Sequence, residues 1–188
     1  MALSKIDPVT SVDLTDKEYF LVKLITNQTN IPDATEETVD FSGNGTVEYD
    51  TKSNFDTSND AYLLDSSDGV YLISFGCSIC SDGINTEELE DAGCQIEVAT
   101  DGSTFTGLFG AAHRTTQSDN SMAGSAHFSG AYIYKATTAT TKIRMVVLAD
   151  ANASATYEVR GRVHSNMQGN TFSTATAYGT YLNVVRIA

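Results

Sequence analysis

Apolar and polar residues alternate along much of this chain with a period of two, and the pattern resumes after short polar gaps. Residues 19–26 (YFLVKLIT) are β-branched and aromatic and end at Asn-Gln-Thr-Asn, which reads as a strand followed by a turn. A short strand is predicted over 38–41. Gly43-Asn44-Gly45 reads as a turn of residues that tolerate positive φ, and 46–50 as the next strand. Residues 50–60 are polar, 61–64 form a short strand, and 65–69 (DSSDG) form a turn. Residues 70–79 then run almost continuously apolar. A half-exposed strand would alternate, so this one is expected to be buried between two sheets.

The second half continues in the same way. Residues 86–91 are acidic and predict at most a helical turn. Strands are predicted over 94–100, 105–113, 127–135, 142–148, 157–164 and 180–187. In 127–135, Phe128, Gly130, Tyr132 and Tyr134 share one face. In 157–164, Tyr157, Val159, Gly161 and Val163 oppose Glu158, Arg160, Arg162 and His164. No segment carries a sustained helical period and no internal repeat is visible, which removes propellers and solenoids. About ten strands joined by turn chemistry predict an all-β fold, an antiparallel β-sandwich of the jelly-roll kind. A closed up-and-down barrel is the alternative. Residues 1–17 lack a sustained period and read as an N-terminal arm, with Thr15 and Glu18 at capping-box spacing, leaving 18–188 as the jelly-roll domain.

The stretch 40–81 resembles the signature of the C1q/TNF-like jelly rolls. Val39-Asp40-Phe41 is followed by Val47-Glu48-Tyr49-Asp50-Thr51, then Asn54-Phe55-Asp56, then Asp68-Gly69-Val70-Tyr71-Leu72-Ile73-Ser74-Phe75. The closing segment Thr180-Tyr181-Leu182-Asn183-Val184-Val185-Arg186-Ile187 is similar to that family's last central strand. The likeness runs from Tyr19 to Ala188 and is loosest over 94–135. It implies a homotrimer packed about a three-fold axis through an apolar or aromatic face. The acidic, Thr/Ser/Asn/Asp/Gly-rich composition further resembles structural proteins of tailed bacteriophages.

Composition narrows the partners. The chain of 188 residues suits one large β domain, which buries roughly 70% of its unfolded surface and needs neither disulfides nor metals for a core. A formal net charge of −13 opposes nucleic acid binding, because phosphates would be repelled. No apolar run approaches the ~18 residues of a membrane span, so no membrane partner is expected. No apolar leader follows Met1, so synthesis in a host cytoplasm and residence in a virion are expected.

Candidate chemistry is sparse. Cys77 and Cys80 form a Cys-x-x-Cys pair, with Cys94 as the one further thiol. On a strand, Cys77 and Cys80 point to opposite faces, which favours buried apolar roles over zinc or a disulfide. His113, His127 and His164 fall on separate strands. No Gly-x-Ser-x-Gly elbow is present. Asp65, Asp68, Asp82, Glu87, Glu88, Glu90 and Asp91 crowd near loop ends, where calcium is the cation their oxygens would take; solvated loop acids are the simpler reading, and no cofactor is expected. Phe128, Tyr132, Tyr134 and Tyr181, being aromatic, and Arg160 and Arg162, being bidentate donors, are the residues proposed for a trimer interface, with core packing and a solvent face as their alternatives. The reading that follows is a non-enzymatic virion protein, a trimeric jelly roll that decorates or cements a bacteriophage capsid beside the major capsid protein or another virion protein. The alternative is the receptor-binding head of a tail or head fibre that recognises host glycans. A carboxylate-pair glycan hydrolase is the third reading.

Overall fold

The strand predicted after Gly69 is the one around which the molecule pairs. The computed structural model describes residues 17–81, 89–114, 125–151, 156–161, 166–167, 170–171 and 179–188. The chain begins with β1 (Tyr19–Leu24), β2 (Gln28–Pro32) and β3 (Glu37–Thr38). A single helical turn, α1 (Phe41–Asn44), leads into β4 (Gly45–Asp50), β5 (Phe55–Asp56) and β6 (Ala61–Leu63). The long strands follow: β7 (Val70–Ser81), β8 (Leu89–Ala99), β9 (Thr106–Arg114), β10 (Ser125–Lys135) and β11 (Lys142–Ala151). After β12 (Thr156–Val159) come the short β13 (Asn166–Met167) and β14 (Asn170–Thr171), and β15 (Tyr181–Arg186) closes the chain.

Two antiparallel sheets result. The front sheet has seven strands, in the order β2-β12-β7-β15-β1-β4, with β10 on the other side of β7. The back sheet has six, in the order β5-β6-β11-β8-β9, with β3 also paired to β11. β7 is central because it has a partner on both sides. β10 follows it along its length, while β15 covers Tyr71 to Gly76 and β12 covers Ile79 to Ser81. This is the expected jelly-roll sandwich.

The core lies where the inward faces meet. Phe20, Val22, Ile73, Phe75, Leu182 and Val184 from the front sheet face Tyr62, Ile96, Ile143, Met145 and Val147 from the back, all buried. Phe20 stacks on Tyr62 with centroids 4.2 Å apart. β7 alternates in burial as far as Ser74 and is buried on both faces from Phe75 to Cys80. The predicted double burial is therefore confined to its second half, where Tyr181 lies over Gly76 and buried Glu158 stands opposite Cys80.

Several sequence expectations are corrected. Residues 41–44 form a helical turn rather than a strand end and a positive-φ turn. Asp40 caps it, accepting from the Gly43 N–H at 2.6 Å. Gly45 is needed there for space: a Cβ would lie 2.6 Å from the Phe41 carbonyl oxygen and 2.8 Å from that of Lys23. The polar segment after β1 is itself a strand, β2. Its Gln28 side chain is buried, donating to the Thr38 carbonyl and accepting from the Asp40 N–H. Residues 89–91, expected in a helical turn, belong to β8 because Leu89 and Asp91 pair with Ala151 and Asp150 of β11. The arm lies outside the described residues except for Lys17, whose carbonyl accepts from the Thr51 hydroxyl.

Candidate functional site: the outer face of the front sheet

Cross-strand partners share a face, so the register fixes what the front sheet shows on its outer side. Ile133, Leu72, Val185 and Tyr19 stand in one row across β10, β7, β15 and β1. The next row is Ala131, Ser74, Asn183, Leu21 and Tyr49. The third is Ser129, Gly76, Tyr181 and Lys23. Ile133 is 61% exposed and Tyr49 54%. The Tyr19 and Tyr49 rings meet at 5.2 Å.

Polar groups on this face are few and mostly spoken for. The Asn183 amide donates to the Ser74 hydroxyl at 3.1 Å, while its Oδ1 is buried without a hydrogen-bond partner. Lys23 pairs with Glu48 at 2.6 Å. Beside that pair is a shallow cavity of about 380 Å³ lined by Leu21, Lys23, Glu48 and Tyr181. Tyr181 reaches it by lying flat over Gly76, where a Cβ would strike its ring.

The back sheet's outer side has a different chemistry. Lys142 donates to Asp56 at 2.8 Å, and Arg144 to Glu97 at 2.7 Å. The Arg144 guanidinium also lies over the Phe105 ring, 4.1 Å from its centroid. A groove of about 350 Å³ crosses this side, floored by Gly93, Gly110 and Ala112 and flanked by Glu36, Gln95, Val146 and Leu148.

No family model matches the chain, and no curated protein matches it. Solved structures do match. The structure of Eiger TNF from S. frugiperda aligns with a TM-score of 0.58 and 10% identity, over 92% of this chain and 93% of its own. A crystal structure of murine APRIL at pH 5.0 aligns with a TM-score of 0.53 and 9% identity, over 91% and 99%. The chain has a TNF-like jelly-roll fold.

Within this TNF-like sandwich the residues singled out from sequence are scattered. Tyr181 is on the outer face of the front sheet. Phe128, Tyr132 and Tyr134 share the opposite, inward side of β10. Phe128 and Tyr134 pack on the core, and Tyr132 stacks on Phe109 of β9 at 5.1 Å, closing the seam between the sheet edges. Arg160, just past the end of β12, donates from Nε to Glu158 at 2.5 Å, and the Asn27 amide donates to the same carboxylate. Arg162, His164, Asp82, Glu87 and Glu88 lie outside the described residues, as do the side chains of Glu90 and His113. His127 is exposed on β10. Among the described residues no three His, Cys, Asp or Glu side chains gather in a metal-binding set. No described helix is long and apolar enough to cross a membrane. Cys77, Cys80 and Cys94 are all buried, and none of them is in a disulfide.

Sequence reasoning missed two features. One is the apolar row itself, whose members are up to 166 positions apart (Tyr19 to Val185) and meet only through register. The other is Glu18, noted only for its capping-box spacing from Thr15 and fully buried immediately before β1. It accepts from the Tyr71 hydroxyl at 2.8 Å and the Asp65 N–H at 2.9 Å, tying β1 to the turn before β7. Burial pushes its carboxyl above the ordinary 4.5, against the pull of those hydrogen bonds. Burial, with Glu18 beside them, drives the Tyr62 and Tyr71 phenols upward as well.

Proposed function

We propose that this chain is a non-enzymatic structural protein that works as a homotrimer, and that as a trimer it decorates or cements a bacteriophage capsid. One observation carries the assembly: the apolar row Ile133, Leu72, Val185 and Tyr19 on the outer face of the front sheet. An antiparallel sheet with one face on the core normally turns polar residues to water on the other. Here one whole row across the second face is apolar, as in an interface core. Charge supports the same face. At −13, copies repel one another, yet among the described residues the acid bordering these rows is Glu48, already paired with Lys23. The TNF-like fold and the C1q/TNF-like sequence signature support three copies about an axis rather than two.

Placement on a capsid rests on the phage-like composition and on geometry, since trimers match the local three-fold positions of icosahedral shells. Native mass in solution tests the assembly: three chain masses are expected, and a monomer at micromolar concentration overturns it. Quantitative proteomics of purified virions tests the placement, with many copies per particle expected and absence from the particle contradicting it.

A second reading is the receptor-binding head of a fibre. The groove over Gly93, Gly110 and Ala112, with Glu36 and Gln95 as polar flanks, favours it because small floor residues let a ligand approach the backbone. Low copy number and competition by the purified protein for adsorption to host cells would select this reading over the first.

A further inference from the structure

We propose that Cys77 and Cys94 are a modification site: on exposure to a small-molecule disulfide they form a disulfide that staples the front sheet to the back sheet. Cys77 points inward from β7, opposite Phe128 of β10. Cys94 points inward from β8, between Val147 of β11 and Ala111 of β9. Both belong to the one core cluster. Both side chains project into that cluster from facing sheets, where the Cys77 thiol adds to burial in pushing the Cys94 thiol up, so the two sheets bring them together without any rearrangement of strand order. Cys80 is three residues from Cys77 and turns to the other face of β7, opposite Ser125 and Glu158, so it does not compete.

The chemistry is thiol–disulfide exchange. One thiol gives up its proton and attacks a sulfur of oxidised glutathione, releasing one glutathione thiolate and leaving a mixed disulfide. The second protein thiol gives up its proton and attacks the protein sulfur of that mixed disulfide. The second glutathione leaves, the protein pair is oxidised by two electrons, and one glutathione disulfide is reduced to two thiols. Burial pushes the Cys94 thiol well up, so little thiolate exists in the closed core. The bond therefore forms while the sandwich is folding or transiently open, and once enclosed it is shielded from reductants. It closes the loop that connects β7 to β8, restricting the unfolded chain.

The test is to refold the full chain in oxidised and reduced glutathione, beside a sample kept in excess reductant. The oxidised sample is expected to lose two hydrogens in intact mass. Glu-C digestion, which can cut after Glu87, Glu88 and Glu90, should release a linked peptide that disappears on reduction, and fragment ions that break the chain between Cys77 and Cys80 should place the link on Cys77 and Cys94. Its denaturation midpoint should rise above that of the reduced sample. Cys80→Ser should retain the link, and Cys94→Ser should lose both link and shift. Three titratable thiols after denaturation, a glutathione adduct without a cross-link, or a link through Cys80 would each overturn the proposal, and all are read on the wild-type chain even where a variant fails to fold.

Discussion

The two outer faces of the sandwich are built from strands of similar length and opposite character. On the back sheet, Lys142 meets Asp56, and Arg144 meets both Glu97 and the Phe105 ring. Those cations are paired within the face itself. On the front sheet, one row holds Leu72, Val185, Tyr19 and Ile133, and in the next row Asn183 Oδ1 lacks a hydrogen-bond partner. A face that leaves apolar area and a buried acceptor unmatched is suited to a partner outside the chain, in line with the proposed trimer. The contrast says where to look for assembly: of two similar layers, one carries ion pairs across its outer side and the other an apolar row.

The sharpest way to break this contrast is one charge on each face. Val185→Asp sets a carboxylate in the middle of the apolar row. It is expected to weaken association by a factor of a hundred or more, on the order of the 2–4 kcal/mol of an interface hot spot, and native mass should fall to one chain. Leu148→Asp, at a position 45% exposed on the back sheet, should leave native mass unchanged. Equal effects from the two variants would remove the front face as the interface.

Next in size is the packing that shapes each face. Gly76→Val drives a side chain into the Tyr181 ring. We expect a loss of about 1–3 kcal/mol from overpacking, together with weakened association, because Tyr181 must lift off the sheet. Thermal denaturation and native mass read the two effects separately. On the back sheet, Arg144→Ala leaves the largely buried Glu97 carboxylate without its partner. The expected cost is about 1–3 kcal/mol for a buried group left unsatisfied, with native mass intact. Glu97→Gln in the Arg144→Ala background should recover part of it, as a double-mutant cycle will show.

What could be read before the structure divides along physical lines. Alternation and turn chemistry are local, so β1, β4, β7, β10, β11 and β15 were legible, and with them the jelly roll. β2 was not, because its buried residues, Gln28 and Ile31, are three apart and do not alternate. The turn at 41–44 carried a local signal, an Asp40 cap before Ser42 and Gly43, that the apparent strand obscured. For the candidate site, period two says that Phe128, Tyr132 and Tyr134 share a face but not which way the face looks. That choice is made by pairing with β7, whose Cys77, Ile73 and Tyr71 point inward. The apolar row is a product of three registers, and no window of the sequence holds more than one of its members.

The smallest effects are expected from pH, where the back-sheet flank and the β1 latch have opposite signs. Asp56 is held at about 2 by its hydrogen bond from the Lys142 ammonium, with Asn59 assisting. A depressed carboxylate contributes stability that is present above its unfolded value of 3.8 and lost as pH falls toward 2. Glu18 is raised by burial. In the interval between 4.5 and its higher folded value, the folded state binds the proton and the unfolded state does not. Its contribution is thus complete below 4.5 and fades as pH rises through the folded value. Between neutrality and pH 4.5, acidification should therefore stabilise the protein through Glu18 before Asp56 begins to act. Glu18→Gln, which keeps an acceptor for the Asp65 N–H without a titrating charge, should flatten that rise in the denaturation midpoint and leave the loss near pH 2 in place. Asp56→Asn should do the reverse, and a profile that Glu18→Gln leaves unchanged would show that the latch is not the group responsible.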